Sequence, residues 1–184
     1  MSVTHPQGME WVAKTIGDQT FDLSHMHPFL FNFVVPAKGK NPERIYRVNV
    51  EFSMHCFTRG KRVGEVIAPE LLYADNREER VFDVPRYNLS RGLVDIIRDV
   101  GARKLFFAKN ANFFTVEVVT QGGETQEYTI FFTVSRAGKK GRLNLYVQSA
   151  YIPDGIPRPQ RRKPIKFQFI AYKTMAKEEI KPPR

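Results

Sequence analysis

The stretch IYRVNVEFSMHCF, residues 45–57, shows the clearest alternation of apolar and polar side chains in the chain. Its even-numbered positions are apolar: Tyr46, Val48, Val50, Phe52, Met54 and Cys56. Its odd-numbered positions from 47 to 55 are polar or charged. Successive side chains of a β-strand point to opposite faces of a sheet. The stretch therefore predicts a long strand with one face in the core and the other outside it.

Further strands are predicted on both sides of this stretch. FLFNFVV (29–35) alternates in the same way, and KLFFAK (104–109) is short and apolar. FFTVEVVTQ (113–121) and TQEYTIFFTVSR (125–136) flank Gly122 and Gly123, which predicts a hairpin. RLNLYVQSAY (142–151) and IKFQFIAYKT (165–174) are expected to be the last two strands.

One helix is predicted, at residues 89–100. Its apolar residues fall at helical spacing: Leu89, Leu93, Ile96, Ile97 and Val100. Gly101 stands where a glycine commonly ends a helix. Because one-sided strands must bury their apolar face, we expect an α+β fold, an antiparallel sheet of about five to six strands with this main helix packed on its apolar face.

Length and composition indicate one globular domain. The chain has 184 residues, of which 42% are hydrophobic, so we expect a single domain over 1–175 and a frayed basic tail over 176–184. A single Cys excludes an intramolecular disulfide framework and a multi-Cys zinc ribbon. The N-terminal residues resemble no signal peptide, and no apolar run approaches the roughly 20 residues of a membrane span. These features predict a cytoplasmic protein without a membrane partner.

The charge is strongly basic and unevenly placed. The net charge is +10, and the segment 136–166 carries nine Lys and Arg residues against the single acid Asp154. A concentrated basic region favours a polyanionic partner. The alternatives are a generally basic surface and, for the strip 158–163, a linker or partner-docking segment. We expect nucleic acid, RNA rather than DNA, to contact Arg47, Arg136, Lys139, Lys140, Arg158, Arg161, Arg162 and Lys163.

His55 and Cys56 form no nucleophile pair if they are neighbours in a strand, because they then point to opposite faces. Cys56 is expected in the core. His55 is expected on the open face, where an unperturbed pKa near 6.5 suits proton transfer. Glu51 shares that face but is about 13 Å away along the strand. A partner would therefore come from a neighbouring strand, with Glu117 and Tyr146 as candidates. The alternative is a surface histidine at a strand end.

The polar face of the predicted sheet is the candidate site. Alternation places these residues on it: Arg47, Asn49, Glu51, Ser53, His55, Thr115, Glu117, Thr129, Thr133, Ser135, Arg142, Asn144, Tyr146, Gln148, Lys166, Gln168 and Tyr172. Carboxylates, a His, Arg and Tyr together suit binding of a phosphodiester and proton transfer around it. The alternative is ordinary solvation of an antiparallel sheet. We nominate His55, Glu51, Arg142 and Tyr146 as catalytic candidates.

A metal site is the weaker interpretation of the histidines. His25 and His27 are spaced so that they could share a face and converge with His55 or Cys56. No ligand spacing matches a known zinc pattern, so neither a metal nor another cofactor is predicted, and the question of a metal at these histidines stays open.

The stretches KLFFAK, NFFTVEVV and EYTIFFTVSRAGKKGRLNLYVQSAY follow the predicted helix as a meander. This layout over residues 85–152 resembles the barnase/EndoU/colicin/RelE-like ribonuclease superfamily, particularly its phage- and toxin-associated members. The resemblance implies metal-independent RNA cleavage on a sheet face, an acidic inhibitor partner, and roles for His55, Arg142, Tyr146 and Ser149. Ser149 would need a β-bulge to reach the face of Tyr146.

Two classes of function follow from these features. The first is an RNA-binding protein that acts as an endoribonuclease of toxin type, in which a ribose 2′-OH attacks the adjacent phosphate. His55 would transfer a proton and Arg142 would stabilise the developing charge. The second is a non-catalytic nucleic-acid-binding or protein-interaction module from a phage or mobile element.

Overall fold

A computed structural model describes residues 9–108, 112–121, 123–138, 141–153 and 163–181. Its strands, in chain order, are β1 Lys14–Ile16, β2 Gln19–Phe21, β3 Phe29–Val35, β4 Arg44–Phe52, β5 Thr58–Arg59, β6 Leu72–Ala74, β7 Glu79–Phe82, β8 Leu105–Phe107, β9 Asn112–Gln121, β10 Glu124–Arg136 and β11 Arg142–Tyr151. Its α-helices are α1 Val84–Ser90, α2 Leu93–Arg98 and α3 Phe167–Ala176. No helix in these ranges is long and apolar enough to cross a membrane.

Within the described ranges, six strands form the main sheet in the order β3-β4-β11-β10-β9-β8. The α+β class is confirmed, but the expectation of a purely antiparallel sheet is wrong, because β4 and β11 are parallel. After β4 the chain leaves the sheet and re-enters it at the far edge as β8. The meander β8-β9-β10-β11 then returns to β4, and β11 arrives beside it running in the same direction. The predicted hairpin at 122–123 is confirmed, since Gln121 pairs with Glu124.

One face of the main sheet is buried under the helices. From β4 and β11, the side chains of Val48, Val50, Leu143, Leu145 and Val147 are buried on it. On the edge strand, Phe33 packs edge-on against Phe167 of α3, with ring centroids 4.8 Å apart. The side chains that alternation assigned to the core in β3 and β4 therefore do face it, up to Phe52.

The predicted helix is divided into two and begins earlier than expected. α1 starts after Asp83, whose carboxylate accepts a hydrogen bond from the Arg86 amide at 2.9 Å, and Pro85 occupies its first turn. α2 follows across Gly92 and buries Leu93 and Ile97, as the helical spacing predicted. Gly101 has no positive φ. A Cβ at this position would stand 2.5 Å from Phe33 Cε2, so close packing accounts for the glycine rather than helix termination.

The last predicted strand, residues 165–174, is wrong, because this segment forms α3. Phe167, Ile170 and Ala171 lie on one face of that helix and are all buried. Their spacing satisfies helical periodicity, although alternating Phe and polar residues also fit period 2. Lys166, Gln168 and Tyr172 therefore do not belong to the open face of the sheet.

β4 also ends before the alternating stretch does. Met54–Cys56 forms a 3₁₀ turn, and the Ser53 hydroxyl caps it by accepting a hydrogen bond from the His55 amide at 3.2 Å. The expectation that Ser53 and His55 lie on the open sheet face is therefore wrong. Cys56 is fully buried, as expected, with its thiol 3.8 Å from the Val147 carbonyl oxygen.

A small sheet and an N-terminal segment pack where β4 and β11 end. The small sheet has the order β5-β7-β6 among the described residues. Trp11 is buried, and its indole Nε1 donates a hydrogen bond to the Phe52 carbonyl at 3.0 Å. Lys14 Nζ donates to the Leu72 carbonyl at 2.7 Å. These contacts hold residues 11–14 between the main sheet and the β6–β7 hairpin.

Candidate functional site

The face of the main sheet opposite the helices carries a row of polar side chains on β4 and β11. Their register pairs Arg47 with Arg142, Asn49 with Asn144, and Glu51 with Tyr146. The intervening residues of both strands are buried, so alternation directs all six of these side chains away from the core. We call these six residues the polar strip.

The polar strip is linear. At about 3.3 Å per residue, successive pairs are about 6–7 Å apart and the Arg pair is about 13 Å from the Glu51–Tyr146 pair. In the middle, Asn49 Nδ2 donates a hydrogen bond to Asn144 Oδ1 at 2.9 Å. The other side-chain amide atoms, Asn49 Oδ1 and Asn144 Nδ2, keep hydrogen-bonding capacity for a ligand.

Arg47 and Arg142 form the basic end of the polar strip. Both are exposed, and they are direct neighbours on adjacent strands. Throughout the described part of the chain, neither arginine forms an ion pair. Like charges placed opposite each other on a sheet are unfavourable. A bound anion would offset this repulsion.

A turn between β6 and β7 stands beside the other end of the polar strip. The Asp75 carboxylate accepts hydrogen bonds from the backbone amides of Arg77 at 2.8 Å and Glu78 at 3.0 Å. It also accepts from the Arg77 guanidinium at 2.7 Å. The pKa of Arg77 is raised, mainly by its hydrogen bonds to Asp75 and secondly by the Tyr146 hydroxyl. The turn therefore fixes a cation next to Tyr146.

An open cavity of about 370 Å³ lies between this turn and the polar strip. It is lined by Met9, Trp11, Glu51, Phe52, Asn76, Arg77 and Tyr146. One wall is apolar, and the rim presents a carboxylate, an amide, a guanidinium and a phenol. Such a mixture of an apolar wall with a few polar groups is typical of small-ligand sites.

His55 has a different partner from those predicted. Its Nε2 donates to Glu78 Oε1 at 2.6 Å, and this hydrogen bond lowers the pKa of Glu78. Arg80 NH1 lies 3.4 Å from the second oxygen of the same carboxylate. Glu78 follows Arg77 in the turn, so His55 contacts the same turn. His55 is not among the described residues that line the cavity.

The three histidines considered for a metal site have separate partners. His25 Nε2 is 2.8 Å from the Ser90 hydroxyl, and burial lowers the pKa of His25. His27 Nε2 is 3.1 Å from the Trp11 carbonyl oxygen. Within the ranges that the structure covers, no three His, Cys, Asp or Glu side chains are grouped so that they could hold a metal ion.

Two of the side chains assigned to the open face lie on the helix side instead. Thr115 pairs with the buried Ile130, and Glu117 pairs with the buried Tyr128. Glu117 accepts a hydrogen bond from Arg103 at 2.5 Å on that side. Two adjacent apolar residues precede Thr115 in this strand, and they point to opposite faces of the sheet. The Thr-x-Glu spacing alone therefore could not show which face is buried. Glu117 is therefore excluded as a partner for His55.

A bulge in β11 returns Ser149 to the open face. The register of β10 and β11 shifts between Phe131 and Phe132, so Ser149 pairs with Phe131 while Val147 pairs with Phe132. Tyr151 follows on the same face and stacks on Phe131, with ring centroids 5.8 Å apart. Arg86 lies over the Tyr151 ring at 5.0 Å from its centroid.

The remaining predicted nucleic-acid contacts are scattered. Arg136 ends β10 opposite Leu143, on the helix side of the sheet, and is exposed. Lys163 is exposed ahead of α3. Lys139, Lys140, Arg158, Arg161 and Arg162 lie outside the described residues.

The sequence did not reveal the residues that complete the cavity. Trp11, Asn76 and Arg77 come from the N-terminal segment and the β6–β7 turn, far in sequence from Glu51 and Tyr146. The only local signal was the polar turn DNRE at 75–78, which indicated a loop without indicating what it approaches.

Comparison with known proteins corrects the family assignment. The model of the YjaZ family matches residues 13–175. Protein YjaZ of Escherichia coli strain K12 is 32% identical over 164 residues, which cover 88% of each chain. No solved structure matches. These matches overturn the ribonuclease-toxin resemblance, and the acidic inhibitor and the role of Ser149, which that resemblance implied, lose their basis. The chain belongs to the YjaZ family.

Proposed function

We propose that this protein binds single-stranded RNA along the polar strip. The observation that carries the proposal is the exposed pair Arg47 and Arg142, adjacent on one open sheet face and without acidic partners among the described residues. Two such cations suit phosphate oxygens, which accept charge-assisted hydrogen bonds from guanidinium groups. The net charge of +10 favours the same class of partner.

The shape and polarity of the polar strip support an extended ligand. Its three pairs, two arginines, two asparagines, and a glutamate with a tyrosine, follow one another over about 13 Å instead of converging on one point. A flat sheet face is better suited to binding unpaired bases than to binding in the groove of a duplex. The asparagine pair supplies a donor and an acceptor for a ribose 2′-OH, and Tyr146 supplies a ring for base stacking. We also propose that the protein is located in the cytoplasm.

RNA cleavage is not needed to account for this arrangement. Arg142 pairs with Arg47 near the start of β4, whereas His55 follows the end of that strand at Phe52. From Arg47 to Phe52 alone the strand spans about 16 Å. A single phosphate therefore could not contact both Arg142 and His55 in this structure. Incubation with structured RNA, with and without EDTA, tests whether cleavage accompanies binding.

The binding test uses fluorescence anisotropy with labelled oligouridine of about 12 nucleotides, within the usual site size of a single-strand-binding surface. We expect R47Q/R142Q to weaken binding at least tenfold and to lower the slope of log affinity against log salt by about 1.4. The matched control is R91Q/K166Q, because both of these exposed residues belong to the helical layer.

The two double variants lose the same charge, so their comparison separates position from net charge. Equal weakening in both would show non-specific attraction and would contradict a site at the polar strip. No salt-dependent binding by the wild-type protein would contradict the proposal altogether. Oligodeoxyuridine, measured in parallel, is expected to bind more weakly because it lacks the 2′-OH.

A further inference from the structure

The cavity at the end of the polar strip has the polarity of a site for a flat heteroaromatic ring. Met9 and Trp11 form an apolar wall, while Arg77 and Glu51 stand at the rim. A nucleobase has two apolar faces and a polar edge, so its shape and polarity match this arrangement. The volume of about 370 Å³ lies within the range of small-ligand sites.

Glu51 is the feature that a phosphate-binding surface does not explain. It is the acid of the polar strip, and in the described ranges it forms no ion pair. Its carboxylate would repel a phosphate. It lies beside Tyr146, where the proposed strand would place a base. A carboxylate accepts hydrogen bonds only, and two parallel donors satisfy both of its oxygens. A ligand for this position therefore presents two adjacent N–H groups.

Arg77 adds the complementary requirement. Asp75 holds the Arg77 guanidinium by hydrogen bonds, and Arg77, Tyr146 and Asn76 all line the cavity. The Arg77 and Asn76 side chains can both donate hydrogen bonds to an acceptor on the ligand. The rim thus presents acceptors at Glu51 and donors at the turn.

We propose that this cavity holds one unstacked guanine base of the bound strand. Guanine is the RNA base whose Watson–Crick edge places two donors, N1–H and the N2 amine, next to an acceptor, O6. Glu51 accepts from both donors, and Arg77 or Asn76 donates to O6. Uracil, which offers one N–H between two carbonyl oxygens, would face Glu51 with repulsive acceptors. This inference rests on the proposed RNA binding.

The test compares oligouridine with the same oligonucleotide carrying one central guanosine, inosine or adenosine. We expect guanosine to raise the affinity about tenfold, the scale of one bidentate base contact. Inosine, which lacks the N2 amine, and adenosine should lose most of this gain. In E51Q the preference for guanosine should fall below about twofold, because the amide replaces one acceptor with a donor.

E127Q is the matched control, since Glu127 is an exposed acid of β10 and lines no part of the cavity. It removes the same charge and should keep the preference for guanosine. E51Q should bind plain oligouridine more tightly than wild type, because a charge that repels phosphate is gone.

The outcomes separate the two proposals. If oligouridine binds through Arg47 and Arg142 but guanosine adds nothing, or if E51Q keeps the full preference, the guanine site is wrong and the polar strip stands. If oligouridine does not bind while the guanosine-containing strand does, with loss in E51Q, the cavity stands and the polar strip fails. Thermal unfolding of each variant shows whether it is folded.

Discussion

At the scale of single residues, local pattern and tertiary contact gave different explanations for the same side chain. His55 was expected on a sheet face, yet its backbone belongs to a 3₁₀ turn and its ring contacts Glu78. Gly101 was expected to end a helix, yet its missing side chain makes room for the Phe33 ring. In both cases the decisive neighbour is distant in sequence, so residue type alone could not identify it.

The packing at Gly101 gives a prediction. In G101A the new Cβ would stand 2.5 Å from Phe33 Cε2, and Phe33 is already packed against Phe167. We expect a loss of about 1–3 kcal/mol in the free energy of unfolding, as is typical of overpacking. Urea denaturation followed by circular dichroism measures it.

The control for this variant is G60A. A Cβ at residue 60 meets no atom within 4 Å, and Gly60 has no positive φ. G60A should therefore be neutral or slightly stabilising, because alanine restricts the unfolded chain. If the two variants were equally stable, the close approach of Phe33 would not explain Gly101.

At the scale of elements, the strands of the main sheet were predictable and the end of the chain was not. Alternation in β3 and β4 identified their buried faces because a pleated strand imposes period 2 on its side chains. In residues 165–174 the apolar positions satisfy both periods, and burial of Phe167, Ile170 and Ala171 selects the helix. The early start of α1 carried a signal in Asp83 and Pro85, which are a capping residue and a first-turn proline.

The cap of α1 gives a prediction at this scale. D83A removes the oxygen that accepts from the Arg86 amide, and we expect the free energy of unfolding to fall by about 1 kcal/mol. D83N should keep the cap, because asparagine offers an equivalent oxygen. Asp83 also lies 3.6 Å from Arg59, and both variants lose that ion pair.

The difference between the two variants therefore reports the cap alone. Urea denaturation at matched pH provides the two free energies. If D83N were as unstable as D83A, the ion pair with Arg59 and not the cap would account for the contribution of Asp83.

At the scale of the whole molecule, the buried thiol of Cys56 reports on cooperativity. Cys56 is the single cysteine, it is fully buried, and burial raises the pKa of its thiol. It lies in the turn between the main sheet and the small sheet, and its thiol approaches Val147 of β11. A reagent reaches it only when these parts separate.

We therefore predict that a thiol reagent leaves the native protein unmodified, and that labelling in urea follows the loss of circular dichroism with the same midpoint. This result would show that the two sheets unfold together, as one domain over 1–175 requires. Labelling at a clearly lower urea concentration would show that the region of the small sheet opens independently. Unfolded protein in high urea serves as the fully reactive control.

The sequence by itself determined the α+β class, the buried faces of β3 and β4, and the direction of the six polar-strip side chains away from the core. These follow from periodicity, which fixes the direction of each side chain relative to its own backbone. Only the tertiary structure decided that β11 lies parallel to β4, which places Arg47 beside Arg142, and that Trp11 and Arg77 close a cavity at Glu51. Strand neighbours and docked turns depend on burial summed over the whole chain, and no local pattern encodes that sum.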